Sequence, residues 1–153
     1  MSKNDRYYDA VEYLYNNGIM NGTTDTLFSP NAELTRAMVV TILYRAQGKP
    51  AVSTSGSFKD VAAGRYYTEA VEWAAANNIV KGFTDGTFKP DEPVTREQLA
   101  AFISRYAEYN GIEIVAADGK LDADAVVSNW AKKNVEWAVA EGILTSVQAK
   151  NAT

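Results

Sequence analysis

The chain contains no cysteine and no histidine. These two absences remove disulfides, thiol nucleophiles and Cys/His zinc sites, and the commonest general acid–base side chain goes with the histidines. Lack of cysteine fits a cytosolic protein and equally an exported one that does without disulfides. No apolar run approaches the roughly 20 residues that span a bilayer, and the opening stretch, Met1 to Leu14, has no signal-peptide core. The chain starts almost inside a helix, so Met1-Ser2 reads as an addition to a fragment. Basic charge is also in short supply. The net charge is -4 and the pI about 4.9, which argues against a nucleic-acid surface, although a local basic spot is compatible with that balance.

What remains is ordinary for a soluble globular chain of 153 residues, 46% of them hydrophobic and 22% charged. That length suits one compact domain or a few small repeats, and the repeats are visible. Ala10-Val11-Glu12 aligns with Ala70-Val71-Glu72, and the same offset pairs Asn17 with Asn77, Ile19 with Ile79, Gly22 with Gly82 and Thr24-Asp25 with Thr84-Asp85. It continues through Phe28 and Phe88, Pro30 and Pro90, and Thr35-Arg36 and Thr95-Arg96. A third copy opens at Ser128, where Val135-Glu136-Trp137 matches Val71-Glu72-Trp73 and Gly142-Ile143-Leu144 matches Asn78-Ile79-Val80. A period of this size implies one structural unit used several times. The units are expected at residues 1–49, 58–111 and 118–153. The third has a first helix only. Gln47 to Ser57 is small and polar and reads as a linker. Tyr109 to Asp122 carries an apolar stretch, Ile112 to Val115, that should pack.

Within the second copy, Tyr67, Ala70, Val71, Trp73 and Ala74 recur at helical spacing, and Asn77-Asn78 closes the helix where Gly18 and Gly142 stand in the other copies. A turn-rich loop follows, in which Phe88 is an apolar anchor and Pro90 a staple. Thr95 then caps a second helix with a stripe of Leu99, Ala100, Phe102, Ile103, Tyr106 and Ala107. The expected fold is all-α, with helix–loop–helix repeats whose second helices pack together.

The motifs "FKDV", Ala-Val-Glu-Trp-Ala and "GFTDGTFKPDEPVTREQLAAFISRY" resemble the S-layer homology module over nearly the whole chain. Copy two matches strongly. Copy one lacks the opening Phe-x-Asp-Val and has Ala-Met after its Thr-Arg. Copy three matches in its first helix alone. The resemblance implies a pseudo-three-fold helical bundle that binds secondary cell-wall polysaccharide, often bearing a pyruvate ketal. Such a module anchors surface proteins without catalysis or cofactor, outside the cell in the wall or S-layer of a Gram-positive bacterium.

On that reading, Arg36 and Arg96, in the first turns of their helices, would present planar forks to a carboxylate beside the free N–H groups of a helix start. Lys81 would add charge, Gly22 and Gly82 would allow a close backbone approach, and Trp73 and Trp137 would offer flat faces to a sugar. Asp25 and Asp85 join the candidate site as neighbours of the arginines. The plainer alternatives stay open: the arginines pair with Asp25 and Asp85, the threonines only cap, and the tryptophans only fill the core. "TDGTF" lacks the ligand series of a calcium loop, and Asp91-Glu92, adjacent in a solvated turn, does not fit glycosidase work.

The third copy ends without its Phe-x-Pro and Thr-Arg parts, so a bundle built this way has an unfilled place. Three explanations fit this ending: a fragment cut at that point, a helix supplied in trans, or a swapped homodimer. The competing function is therefore a helical interaction or assembly module whose open slot accepts a helix from a partner or second chain. Neither reading involves nucleic acid or membrane.

Overall fold

The computed structural model describes residues 3–24, 27–29, 31–53, 55–117, 121 and 125–145. Among these are five helices and no strand: α1 (Tyr8–Asn16), α2 (Arg36–Ala46), α3 (Thr68–Ala76), α4 (Arg96–Tyr109) and α5 (Lys132–Ala140). The expected all-α class is the one observed. Of the residues singled out above, Asp25 and Pro30 lie outside the described residues, as do residues 146–153.

The second helices of the repeats start where their threonines stand. Thr35 Oγ1 accepts from the Met38 N–H at 3.3 Å. At Thr95 the arrangement is reciprocal: Oγ1 accepts from the Gln98 N–H at 3.2 Å, and Gln98 Oε1 accepts from the Thr95 N–H at 3.4 Å. Each such cap stabilises its helix by about 1 kcal/mol. The first helices end alike in all three copies. Gly18, Asn78 and Gly142 have φ of +66°, +58° and +71°, and the next residue's N–H reaches back to Leu14, Ala74 and Ala138 respectively, at 2.8–2.9 Å. Left-handed backbone at these three points is what the glycine and asparagine of the pattern supply.

The helices pair in a stagger. α2, from the first copy, packs on α3 of the second. α4, from the second, packs on α5 of the third. α2 and α4 also touch. Two cores result. One gathers Val40, Val71, Trp73, Ile79, Phe88 and Phe102 between α2, α3 and α4. The other gathers Ala100, Ala107, Ile114, Val135, Trp137 and Leu144 between α4 and α5. Ile114 thus packs as expected, whereas its neighbours Ile112 and Val115 stay exposed. By contrast α1 packs on no other described helix.

The loops are fixed by carboxylates, one half-buried and one buried. Asp60 of the "FKDV" opening accepts from the N–H groups of Phe88 and Lys89, each at 2.7 Å, and so holds the Phe-x-Pro turn. Glu72 accepts from Ser57 N–H at 2.9 Å, from Ser57 Oγ at 2.7 Å, and from the N–H and Oγ of Ser55 at 3.2 Å. The segment that reads as a passive linker therefore satisfies a buried acid.

Candidate functional site

The start of α2 meets the loop of the following repeat. The Arg36 N–H donates to Glu92 O and the Ala37 N–H to Pro90 O, both at 3.0 Å, and the Val94 N–H returns to Leu34 O at 2.9 Å. With Met38 N–H taken by Thr35, the amides expected to greet an anion at this helix start are already occupied. What is left for a ligand here is the arginine side chain.

Arg36 is 2% exposed. Its Nε donates to Phe88 O at 2.7 Å, and its guanidinium carbon lies 4.9, 4.6 and 5.1 Å from the ring centroids of Phe83, Phe88 and Phe102. Three aromatic faces and one carbonyl hold the cation. One terminal nitrogen, Nη2, is buried and has no hydrogen-bond partner. Burial lowers the guanidinium pKa to about 10, against the pull of Glu92 and Asp60. It is still protonated at neutral pH.

Arg36 lines a cavity of about 190 Å3, equivalent to about six waters at their liquid volume. Lys81 and Phe83 come to it from the second repeat's loop, Arg105 from α4, and Trp130 from just ahead of α5. The lining therefore draws on all three copies. Among the described residues the lining has three cations and no carboxylate, an arrangement that focuses positive potential on whatever enters. Trp130, 56% exposed, supplies an aromatic face at the rim.

The other sequence candidates fall in different places. Arg96 is exposed and does not line this cavity. Asp85 binds its own turn, accepting from Thr87 N–H at 3.0 Å and Oγ1 at 2.6 Å, and those bonds hold its carboxyl below the usual range. The ion pairs among the described residues, Lys89–Glu92 and Lys132–Glu136, do not include it. Trp73 and Trp137 are buried in the two cores. Gly22, at φ +79°, has no space for a Cβ, which would stand 2.5 Å from Leu27 O. At Gly82 a Cβ would run into the Phe58 ring and stand 2.6 Å from Thr87 O. Both glycines thus accommodate their own loops, although Gly82 also borders the cavity. Arg105 and Trp130 were missed in the sequence. One signal was present: Arg45 and Arg105 stand nine residues after Arg36 and Arg96, a repeat as regular as the Thr-Arg pair itself.

Comparison with known proteins agrees with this architecture. The family profile of the S-layer homology domain matches residues 1–37 and 57–100. The chain is 31% identical over 148 residues to the surface-layer 125 kDa protein of Lysinibacillus sphaericus, which covers 95% of this chain and 12% of that one. It is 29% identical over 129 residues to the cellulosome-anchoring protein of Acetivibrio thermocellus, 82% of this chain and 29% of that one. It is 31% identical over 144 residues to an amylopullulanase of Thermoanaerobacterium thermosulfurigenes, 89% of this chain and 7% of that one. These matches place it among the cell-surface anchoring modules. The chain belongs to the S-layer homology family. It spans only a small part of each of these relatives, and what an enzyme name says of catalysis concerns a much larger protein.

Proposed function

We propose that this chain is the part of a larger surface protein that holds it to the cell wall, and that the cavity at Arg36 binds an acidic group of a secondary cell-wall polysaccharide. The carboxylate of a pyruvate ketal is the group that fits the chemistry of a guanidinium fork. The observation that carries this reading is the buried Arg36, with Nη2 unpartnered in a groove that, among the described residues, is lined by two further cations and no acid. An unmatched buried donor is unfavourable in the free protein, and a carboxylate placed against it removes that penalty. Trp130 stands where an apolar sugar face would stack. The wall in question is that of a Gram-positive bacterium.

The test is co-sedimentation with purified Gram-positive sacculi, intact or stripped of secondary polysaccharide. Retention on intact sacculi alone, lost in Arg36→Ala, is the expected result. Equal retention on stripped sacculi would sink the glycan reading.

A second reading, a helix-docking or assembly module, draws on α1. Every other first helix is packed against the second helix of the preceding repeat, and α1 has no such neighbour among the described helices. A Thr-Arg helix of the α2 and α4 type, from another repeat or from a second chain in a swapped dimer, is the matching occupant. Sedimentation equilibrium checks the dimer: a monomer at every concentration rules that form out. A titration with a peptide copying Thr95–Asn110 checks docking in trans.

A further inference from the structure

The anion reading leaves more positive charge in the cavity than one carboxylate neutralises. We infer that Arg105 is a second ligand-binding cation, and that the groove selects a sugar unit carrying two acidic groups over one carrying a single group. This rests on the glycan reading above.

Arg105 is half-buried on α4, on the face it shares with Gln98, Ala101 and Phe102, all of which border the cavity. Phe102 marks the level of Arg36, whose guanidinium carbon is 5.1 Å from its ring. Arg105 lies three residues further along, about 4.5 Å of axial rise. Arg36 and Arg105 thus line one small cavity, with Lys81 on the loop that borders it. No hydrogen bond or ion pair holds Arg105 among the described residues. Burial lowers its pKa, and Glu108, one turn on, opposes that only through space. Glu108 is exposed and does not line the cavity.

Arg36 is fixed through its Nε on the Phe88 carbonyl, whereas the half-buried Arg105 keeps its fork available to a ligand. It lines the same cavity as Arg36 and Lys81. A ligand with one acidic group at Arg36 and Lys81 and another at Arg105 would engage all three cations. Trp130 at the rim supplies the face for the ring that carries the two groups. Arg45, the repeat-equivalent of Arg105, serves as the matched control, because it does not line this cavity.

Isothermal titration of the full chain tests this with defined probes: glucuronic acid, glucose 1-phosphate, and glucuronic acid 1-phosphate, which joins both acidic groups on one ring. The two-group sugar is expected to bind at least tenfold more tightly than either single-group sugar. R105Q should erase that ratio, R105K should restore part of it, and R45Q should leave it intact. Equal affinity for all three probes in the unaltered chain, or a ratio that survives R105Q, overturns the inference but leaves the anchoring reading standing. Failure to bind any acidic sugar, together with failure on sacculi, overturns both.

Discussion

The first and second repeats are written in nearly the same residues, yet they occupy very different surroundings. Val71 is fully buried and Val11 almost so, but Trp73 is 2% exposed where its counterpart Tyr13 is 63% exposed. Glu72 is buried and capped by two serines, while Glu12 is exposed on α1. Phe88 is sealed between Phe58 and Phe102, with centroids at 5.4 and 6.4 Å, and Phe28 is only half-buried. At the second helix the contrast reverses: Arg36 of the first repeat is caged, and Arg96 of the second is exposed. The stagger of the helices explains both. A first helix is covered by the repeat before it, and a Thr-Arg start is completed by the repeat after it. The middle repeat therefore has the well-packed first helix, and the first repeat has the completed arginine.

The sharpest break in that comparison is at the aromatic pair. Trp73→Ala removes a side chain ringed by Tyr44, Tyr106 and Tyr109 at centroid distances of 5.5, 6.4 and 5.6 Å. It should cost about 3–5 kcal/mol, read as a lowered urea midpoint. Tyr13→Ala, on an exposed helix face, should stay within about 0.5 kcal/mol. Equal losses would mean that α1 is covered in solution, which would favour the docking reading.

Next come the two arginines, which separate binding from folding. Arg36→Ala should weaken retention on acidic wall polysaccharide by roughly tenfold or more, in line with about 1.5–3 kcal/mol for a charge-assisted hydrogen bond. Arg96→Ala should change it little, because Arg96 is exposed and does not line that cavity. The residue equivalent to Lys81 in the third copy is Thr145. A loss at Arg96 as large as that at Arg36 would show that the second groove is completed and active.

Gly82→Ala tests the loop that brings Lys81 and Phe83 to the cavity. Its Cβ would strike the Phe58 ring, and overpacking of that kind costs about 1–3 kcal/mol. Gly86→Ala, at φ +80° with open space around it, should carry only the left-handed backbone penalty of about 1–2 kcal/mol. A thermal melt that ranks Gly86→Ala as the worse of the two would mean that Phe58 moves aside.

Local chemistry was the legible part of this molecule. Thr35 and Thr95 cap their helices because a cap needs only the next three residues, and Gly18, Asn78 and Gly142 end theirs for the same reason. The stripes on α3 and α4 announce a core, and Trp73 lies on its stripe and in that core. The site was less legible because it is assembled across repeats. Arg36 and Arg96 sit in the same motif and cannot be told apart until the neighbouring loop closes on one of them. That same closure uses up the Arg36 and Ala37 amides, so the anion site belongs to the side chain and not to the helix end. Trp130 and Arg105 reach the cavity from elements about 95 and 70 residues beyond Arg36, a distance over which periodicity says nothing. Likewise, nothing in Gln47 to Ser57 announces that two of its serines are reserved for Glu72.

That last contact gives the smallest and most specific prediction. Burial pushes the Glu72 carboxyl up, but the hydrogen bonds from Ser57 and Ser55 outweigh it and leave its pKa below the ordinary value. A carboxylate depressed in the folded state contributes stability above the unfolded-state pKa, about 4.3 for glutamate, and loses it as pH falls through the folded value. Unfolding free energy measured between pH 6 and pH 3 should therefore decline, with part of the slope assigned to this residue. Glu72→Gln keeps the shape but removes the titration, so its decline should be shallower over the same window. Glu12→Gln, on the exposed counterpart, should leave the slope of the unaltered chain in place. If both variants share one slope, the serine cradle does not distinguish the second repeat from the first.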